Sequence, residues 1–450
     1  MNKKKKKLKK SAKIIIIILI VAILAGLGYL FYENYQEQKR IEAERAAYEA
    51  RQAEIAQSHL GKFSNKFSLD KGAKKRLIAF TDDLYRCQME IPRLYNKNFK
   101  YNQEKIDRIL PDLSKHFATG SYTEKAVCRT ALRFSLTARA LAPFDTSLEK
   151  CSYDIKIRNV SGDENGLKID YYESAKINFR FIPDINSQMY HIKNSIVLKK
   201  QDGKWKVSKY YREEDFYLAV INDYDYSAHT KDSIDKSLDQ VFSKLMKKNI
   251  GNTKSYIKDM QAFNSGEFVD KPKSCDVAYD RESALKYAKK YVKKRNTKAG
   301  WAVFDDWGGN CQNFGSQMLN AGGIPMDLEG SQVWKYYGTT NDNSNSAYGY
   351  SASWAVAPSF RYYAQNNKGY GLVAKVDVNK FAAEAGDILQ VGTGKDGISH
   401  TNVVVGTVKD SKDRTIDVLV NSNTNNRINW PMWMGLSKYQ SLVKIYGWNK

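Results

Sequence analysis

The hydrophobic pattern of the chain begins with an unbroken apolar run close to the N-terminus. Nineteen residues, Ile14 to Tyr32, carry no charged side chain, enough for a helix to cross a hydrocarbon core of about 30 Å. We therefore expect a transmembrane helix over residues 14–32. A basic tail of residues 1–13 precedes the run and Glu33 follows it. The positive-inside rule then predicts a single-pass protein of the cell membrane, with a cytoplasmic N-terminus and extracellular C-terminal domains.

A secretory signal peptide has the same polarity, so cleavage of this segment is the alternative to an anchor. Gly26-Leu27-Gly28 offers only a weak small-residue cleavage sequence. The run is also longer than the apolar core of a usual signal peptide, which favours the anchor.

Residues 33–60 are rich in Ala, Glu, Gln and Arg and contain neither Gly nor Pro, which predicts a helical stalk. Ile41, Tyr48 and Ile55 recur every seven residues and could form the seam of a weak dimer. The other seam positions of this heptad pattern are polar, which favours a solvated spacer helix.

Residues 65–263 predict a helical segment followed by a sheet. Apolar positions recur with helical spacing to about residue 142, and from Ser152 they alternate as in strands. Gln201-Asp202-Gly203-Lys204 predicts a hairpin turn between the last two strands. This order, ending in the run from His191 to Tyr211, loosely resembles an NTF2-like α+β domain. The resemblance implies a spacer or binding module.

Composition changes near residue 266. Seven of the eight Trp and nineteen of the 28 Gly lie between Gly266 and Lys450, which predicts a second domain over residues 275–450. An apolar content of 42% excludes a disordered chain, and a formal charge of +23 suits an anionic polymer as partner. Five Cys and five His argue against a disulfide scaffold or a His-rich metal centre, so we expect no metal and no cofactor. The expected extracellular location also argues against a nucleic-acid partner.

Cys311 is the candidate nucleophile of the second domain. It follows the loop Trp307-Gly308-Gly309-Asn310 and opens a predicted helix over residues 312–321. Unpaired backbone N–H groups and the helix dipole stabilise a thiolate at such a position. We therefore expect the pKa of this thiol to be lowered toward neutrality.

His400 is the candidate base, because it is the single histidine of this domain. It begins the predicted strand HTNVVVGTV, and TIDVLVNSNT returns after a short loop. If Val408 pairs with Thr415, His400 faces Asn423, within reach of a hydrogen bond. Asn423 would then orient the imidazole as the third group of a cysteine hydrolase, and Asn421 lies one step along the same face.

At this point the chain resembles the putative amidase domain family, which is related to the NlpC/P60 and CHAP cysteine hydrolases. The likeness lies in motifs that follow one another in order: Tyr279-Asp280-Arg281-Glu282-Ser283-Ala284, Gly308-Gly309-Asn310-Cys311-Gln312-Asn313-Phe314-Gly315-Ser316-Gln317, Ala321-Gly322-Gly323-Ile324-Pro325, Gly386-Asp387-Ile388-Leu389, Ser399-His400 and Asn423-Thr424-Asn425-Asn426-Arg427.

The resemblance implies a papain-like (NlpC/P60-like) α+β fold and amide hydrolysis, with Cys311 as nucleophile and His400 as base. The chain departs from the family at two positions. Asn310 stands where the family usually has an acid, and Asn423 stands where it commonly has a histidine. Asn423 would therefore be a replacement for the group that orients the base.

Together these features predict a membrane-anchored extracellular cysteine amidase or peptidase that acts on cell-wall peptides (peptidoglycan). The rival hypothesis is a non-enzymatic single-pass scaffold of a cell-surface or transfer apparatus, in which the amidase-like domain is degenerate. Residues that bind the substrate are not identified by the sequence.

Overall fold

The computed structural model describes most of the chain, namely Gly26, residues 28–36 and 38–40, Ala43, Ala46, residues 50–51, Glu54, and residues 60–163, 165–329, 332–424, 426–435 and 438–450. The chain divides into two compact units, Met1–His59 and Leu60–Lys450. In the first unit, the described residues from Gly26 to Glu54 are helical.

The transmembrane helix expected over residues 14–32 is not supported, and the fold class is corrected accordingly. No helix among the described residues is both long enough and apolar enough to cross a bilayer. Residues 14–25 and Leu27 of the expected span lie outside the described residues, as do the heptad positions Ile41, Tyr48 and Ile55. The prediction of a single-pass membrane location was derived from this helix and is likewise not supported.

The second unit is an α+β structure. Its helices and strands, in chain order, are β1 (Gly61–Phe63), α1 (Lys71–Arg86), α2 (Gln103–Asp107), α3 (Tyr122–Ala140), β2 (Leu148–Gly162), β3 (Gly166–Phe179), β4 (Ile182–Gln201), β5 (Lys204–Arg212), α4 (Asp215–Asp223), α5 (Lys231–Asn264), β6 (Val277–Ala278), α6 (Arg281–Tyr291), α7 (Cys311–Ala321), α8 (Ala352–Ala355), α9 (Ala357–Asn366), β7 (Gly371–Val378), β8 (Ile388–Gly392), β9 (Ile398–Lys409), β10 (Thr415–Ser422), β11 (Arg427–Pro431) and β12 (Tyr439–Asn449).

Several helices begin at side chains that bond their first free amides. Asp70 accepts the N–H of Ala73 at the start of α1, and Asp280 accepts that of Ser283 at the start of α6. Thr230 and Ser233 form a reciprocal capping box at the start of α5, a helix of 34 residues. The turn expected at residues 201–204 is present, since β4 ends at Gln201 and β5 begins at Lys204.

One sheet runs through both regions that the sequence separates. The described strands form a twelve-stranded sheet in the order β1-β2-β3-β4-β11-β10-β9-β8-β12-β6, with β5 beside β4 and β7 beside β12. The two regions meet where β4 pairs with β11, through Met189 with Arg427 and Gln188 with Ile428. Residues 65–263 and 275–450 therefore lie in one compact unit with a continuous sheet.

Helix α7 is buried along most of its length, and it packs against β9. Gly315 allows this close approach, because a Cβ there would lie 3.2 Å from the Ile388 side chain and 3.3 Å from that of Thr401. Polar side chains of α7 are bonded to both neighbours: Thr401 of β9 donates to Gln312, and Tyr287 of α6 donates to Gln317. The packing thus fixes the orientation of the helix whose first residue is Cys311.

Candidate functional site

A turn that contains two glycines lies just before Cys311. Gly308 and Gly309 have φ values of +97° and +113°, which residues with a side chain rarely adopt. A Cβ on Gly309 would also lie 3.1 Å from the side chain of Thr424. The Gly-Gly pair therefore lets the loop pass against residue 424 before α7 begins at Cys311.

The Cys311 thiol is buried, and burial decides its titration. Its side chain is surrounded by the backbone amides of Thr401, Gln312 and Cys311 itself, each of which lowers its pKa. Desolvation is the larger effect, so the pKa of Cys311 is raised above its usual value. The expected lowering was wrong in direction, because the sequence argument included the helix N-terminus but could not include burial.

Asn423 fixes the start of α7. Its Oδ1 accepts a hydrogen bond from Asn310 Nδ2 at 3.1 Å, and its own Nδ2 donates to the carbonyl oxygen of Val292 at 2.7 Å. The backbone N–H of Asn310 donates to Thr424 Oγ1 at 2.7 Å. Asn423 and Thr424 thus hold the residue that immediately precedes the candidate nucleophile. Asn421 does not join them, since its Oδ1 accepts the backbone N–H of Asn429.

His400 lies on the other face of the sheet. Thr401 faces α7, because its hydroxyl donates to Gln312 Oε1 at 2.7 Å. Successive side chains of a strand point to opposite faces, so His400 points away from α7. It lines a cavity of about 50 Å³ together with Asn402, Asp215 and other residues. The structure therefore brings Asn423 and Cys311 to one face and places His400 on the other.

The surroundings of His400 hold its imidazole neutral. Burial lowers its pKa to about 4, and the cations Lys438 and Arg427 act in the same direction, against Asp215 and Asn402. Lys438 pairs with Asp215 at 2.6 Å. Among the described residues, His400 Nε2 has no hydrogen-bond partner. The ring is thus buried beside an ion pair and does not contact the thiol.

The expected pairing of β9 with β10 was wrong by one residue at both ends of the hairpin and by two residues between Asp417 and Leu419. Thr415 pairs with Lys409 instead of Val408, and Asn421 pairs with Val403. Asp410 closes the turn one residue tighter, because its N–H donates to the Arg414 carbonyl and its carboxylate accepts the Arg414 N–H. A shift of one residue moves every side chain to the opposite face, which separates His400 from Asn423.

Two threonines next to the expected residues have contacts that sequence reasoning missed. Thr401 supplies an amide to the Cys311 thiol, and Thr424 accepts the Asn310 amide. Both follow directly after a predicted site residue, and this adjacency was the available signal. Asp387 is a structural group, since it accepts Arg281 at 2.9 Å and the Ile445 N–H at 3.0 Å. The described residues contain no group of three or more His, Cys, Asp or Glu side chains placed to hold a metal ion.

Comparison with known proteins identifies a family that matches this region and a protein of similar sequence. Residues 278–446 match the family described as "Putative amidase domain", which points to amidase, and hence hydrolase, activity for this region. An uncharacterized protein of Bacillus subtilis (strain 168), YhbB, is 35% identical over 150 residues, which cover 32% of this chain and 42% of that protein. The chain thus matches about two-fifths of the length of this relative. No solved structure matches. The NlpC/P60-like and NTF2-like assignments stay predictions.

Proposed function

We propose that residues 278–446 hydrolyse amide bonds with Cys311 as the nucleophile. The observation that carries the proposal is the position of the thiol at the first residue of α7, where the amides of Thr401 and Gln312 act on its sulfur. Backbone N–H groups converging on one point can stabilise both a thiolate and the oxyanion of a tetrahedral intermediate. The match to an amidase domain supports the same reaction type.

The proposed acid and base is His400, and this role has a structural requirement. The thiol proton has to reach the leaving amine, and a proton carrier must stand within about 3 Å of the sulfur or be linked to it by one water. In the described conformation His400 is on the far face of β9. A change of one residue in the register of this strand would bring the imidazole to the face of α7.

We propose cell-wall peptides as the substrate. Such peptides combine amide bonds with free carboxylates, and this chain carries a formal charge of +23. An excess of positive charge raises the local concentration of an anionic substrate, and added salt weakens the effect.

A second candidate function is favoured by the position of His400. An amidase-type domain whose imidazole is buried away from its cysteine can bind a peptide without cleaving it. In this alternative the C-terminal region is a degenerate amidase that serves as a binding or scaffold module, and the charged cavity around His400 is purely structural.

Mass spectrometry of isolated peptidoglycan incubated with the full chain tests the two candidates. We expect new peptide fragments with the wild type and none with Cys311→Ala. Cys275→Ala is the matched control, because Cys275 is half-buried and makes only a weak contact with the Tyr446 carbonyl. Equal fragment yields from wild type and Cys311→Ala would contradict the proposal, and absence of fragments from both proteins would favour the binding module.

A further inference from the structure

An open cleft lies beside the start of α7. Its volume is about 440 Å³, and its walls come from β3 and β4 on one side and from residues between 293 and 306, Thr424 and Asn426 on the other. Thr424 belongs to this wall and also accepts the Asn310 N–H at 2.7 Å. The wall of the cleft is therefore hydrogen-bonded to the residue that precedes Cys311, and both regions of the sheet contribute to the cleft.

His191 is placed in the cleft by a bulge in β4. It has a φ of +53°, and the pairing shifts around it, since Glu173 pairs with Ile192 whereas Ala175 pairs with Met189. Its ring stacks on Tyr172 with centroids 5.3 Å apart. A bulky residue in the left-handed region is uncommon, and bulges of this kind often re-aim a side chain at a functional site.

The lining of this cleft carries four cationic side chains and three carboxylates. Lys293 and Lys294 are exposed, and neither has an ion-pair partner among the described residues. Lys193 lies 3.9 Å from Glu213, a distance at which an exposed pair contributes little. Arg158 stands over the ring of Tyr172 at 5.1 Å.

The acidic groups of the cleft are fewer and partly engaged. Asp305 accepts both arms of the Arg295 guanidinium at 2.9 and 2.6 Å, so this pair is internally neutral. Asp306 is a further carboxylate in the lining. The pKa of His191 is lowered mainly by burial and also by Lys156, Arg158, Arg295 and Lys293, which agrees with a positive potential around its ring.

We propose that this cleft binds a carboxylate group of a peptide substrate, with Lys293 and Lys294 as the attracting charges and the His191–Tyr172 stack as the platform. The assignment rests on the proposed hydrolysis, because it names the part of the substrate that anchors while the neighbouring amide reaches Cys311. Two lysines and a strained imidazole beside an aromatic ring suit an acidic peptide, since ammonium groups attract carboxylates and the ring surface accommodates the peptide backbone.

Direct binding separates this site from catalysis. Fluorescence anisotropy of a labelled hexaglutamate peptide would be measured with the full-length Cys311→Ala variant, which lacks the proposed nucleophile. Adding Lys293→Glu and Lys294→Glu should weaken binding by roughly tenfold, because two exposed attractions become repulsions. The matched control is Lys247→Glu with Lys248→Glu, an adjacent exposed pair on α5 that lies outside the cleft, and it should change the affinity by less than about twofold.

A second variant tests the platform. His191→Asn removes the ring while keeping a residue that tolerates a positive φ, so it should weaken binding by about threefold without unfolding the strand.

Equal losses from the cleft pair and the α5 pair would overturn the proposal, because the effect would then be one of net charge. Tighter binding of polyphosphate than of hexaglutamate would also overturn the carboxylate assignment. If peptidoglycan is cleaved but the cleft variants bind hexaglutamate normally, the cleft fails and the hydrolysis stands. If the cleft variants weaken hexaglutamate binding but the wild type cleaves no peptidoglycan, the proposed hydrolysis is wrong and the proposed binding site is retained.

Discussion

The two faces of β9 have opposite characters. On the face toward α7, Thr401 bonds Gln312 and its amide acts on the Cys311 thiol. On the other face, His400 lies beside Asp215 and Lys438 in a small cavity whose surface is mostly apolar. Neighbouring residues of one strand therefore face two different environments, and Cys311 and His400 do not share a face.

The second face also holds the two regions of the sheet together. Asp215 begins α4 in the N-terminal region, whereas Lys438 and Arg427 belong to the C-terminal region. Lys438 lies 2.6 Å and Arg427 3.6 Å from the Asp215 carboxylate. Because β4 and β11 pair next to this cluster, the face that carries His400 is an internal junction.

The largest effect is expected at the thiol. Cys311→Ala should lower peptidoglycan cleavage by at least about a thousandfold, because loss of a nucleophile removes the covalent step. Cleavage is measured as the initial rate of fragment release at saturating substrate. Stability should fall by only about 1 kcal/mol, since the change deletes one small buried atom. Retention of more than about a tenth of the rate would show that another group attacks the amide.

The next effect is on the pH dependence of stability, in which His400 and Asp417 act in opposite directions. Burial lowers the pKa of His400 from 6.5 to about 4, so its stabilising contribution is present above pH 6.5 and is lost as the pH falls through about 4. Burial raises the pKa of Asp417 from 3.8 to about 7, so its contribution is present below pH 3.8 and is lost as the pH rises through about 7. Each group changes the free energy of unfolding by about 3 to 4 kcal/mol over its titration range. In the wild type the two changes have opposite signs and largely cancel between pH 4 and 6.5.

Urea unfolding between pH 4 and 7 can separate these two groups. In the His400→Asn variant only Asp417 of this pair still titrates, so the free energy of unfolding should fall as the pH rises. In the Asp417→Asn variant only His400 titrates, so the free energy of unfolding should rise with pH. A wild-type profile that matches the His400→Asn profile would mean that His400 titrates normally. That result would place the ring in water and not in the cavity behind β9.

Sequence reasoning predicted the elements around the site but not which face each residue occupies. The hairpin of β9 and β10, the helix that begins at Cys311 and the turn at residues 201–204 follow from periodicity and glycine positions. The register was wrong because a polar loop can close one residue tighter when an Asp such as Asp410 bonds the amides within it. Burial of the Cys311 thiol and the joining of two regions by β4 and β11 depend on contacts distant in sequence, which periodicity does not report.

A smaller effect is expected from Asn423→Ala. The change leaves Asn310 Nδ2 without its partner, and an unpaired buried polar group costs about 1 to 3 kcal/mol. The Val292 carbonyl loses one of its two donors and keeps the Tyr190 hydroxyl. Stability should therefore fall by about 2 kcal/mol in urea unfolding, with a lower cleavage rate because the start of α7 is loosened. Asn366→Ala, which removes one exposed bond to Tyr362, is the control and should stay within about 0.5 kcal/mol. Loss of cleavage without loss of stability would instead support Asn423 as a group that orients a catalytic base.

The smallest expected effect is that of His400 variants on the alkylation rate of Cys311. It tests most directly whether Cys311 and His400 lie on opposite faces of β9. Because burial raises the pKa of the Cys311 thiol, iodoacetamide should alkylate it slowly at pH 7, more slowly than the half-buried Cys275. Because the His400 ring lies behind β9, His400→Ala should leave the Cys311 rate within about twofold of the wild type, as followed by peptide mapping. A separate His400→Gln variant, which retains a polar side chain, controls for any opening of the sheet. Fast alkylation of Cys311 that both histidine variants abolish would show that thiol and imidazole meet in solution, and that β9 reaches the register in which His400 faces α7.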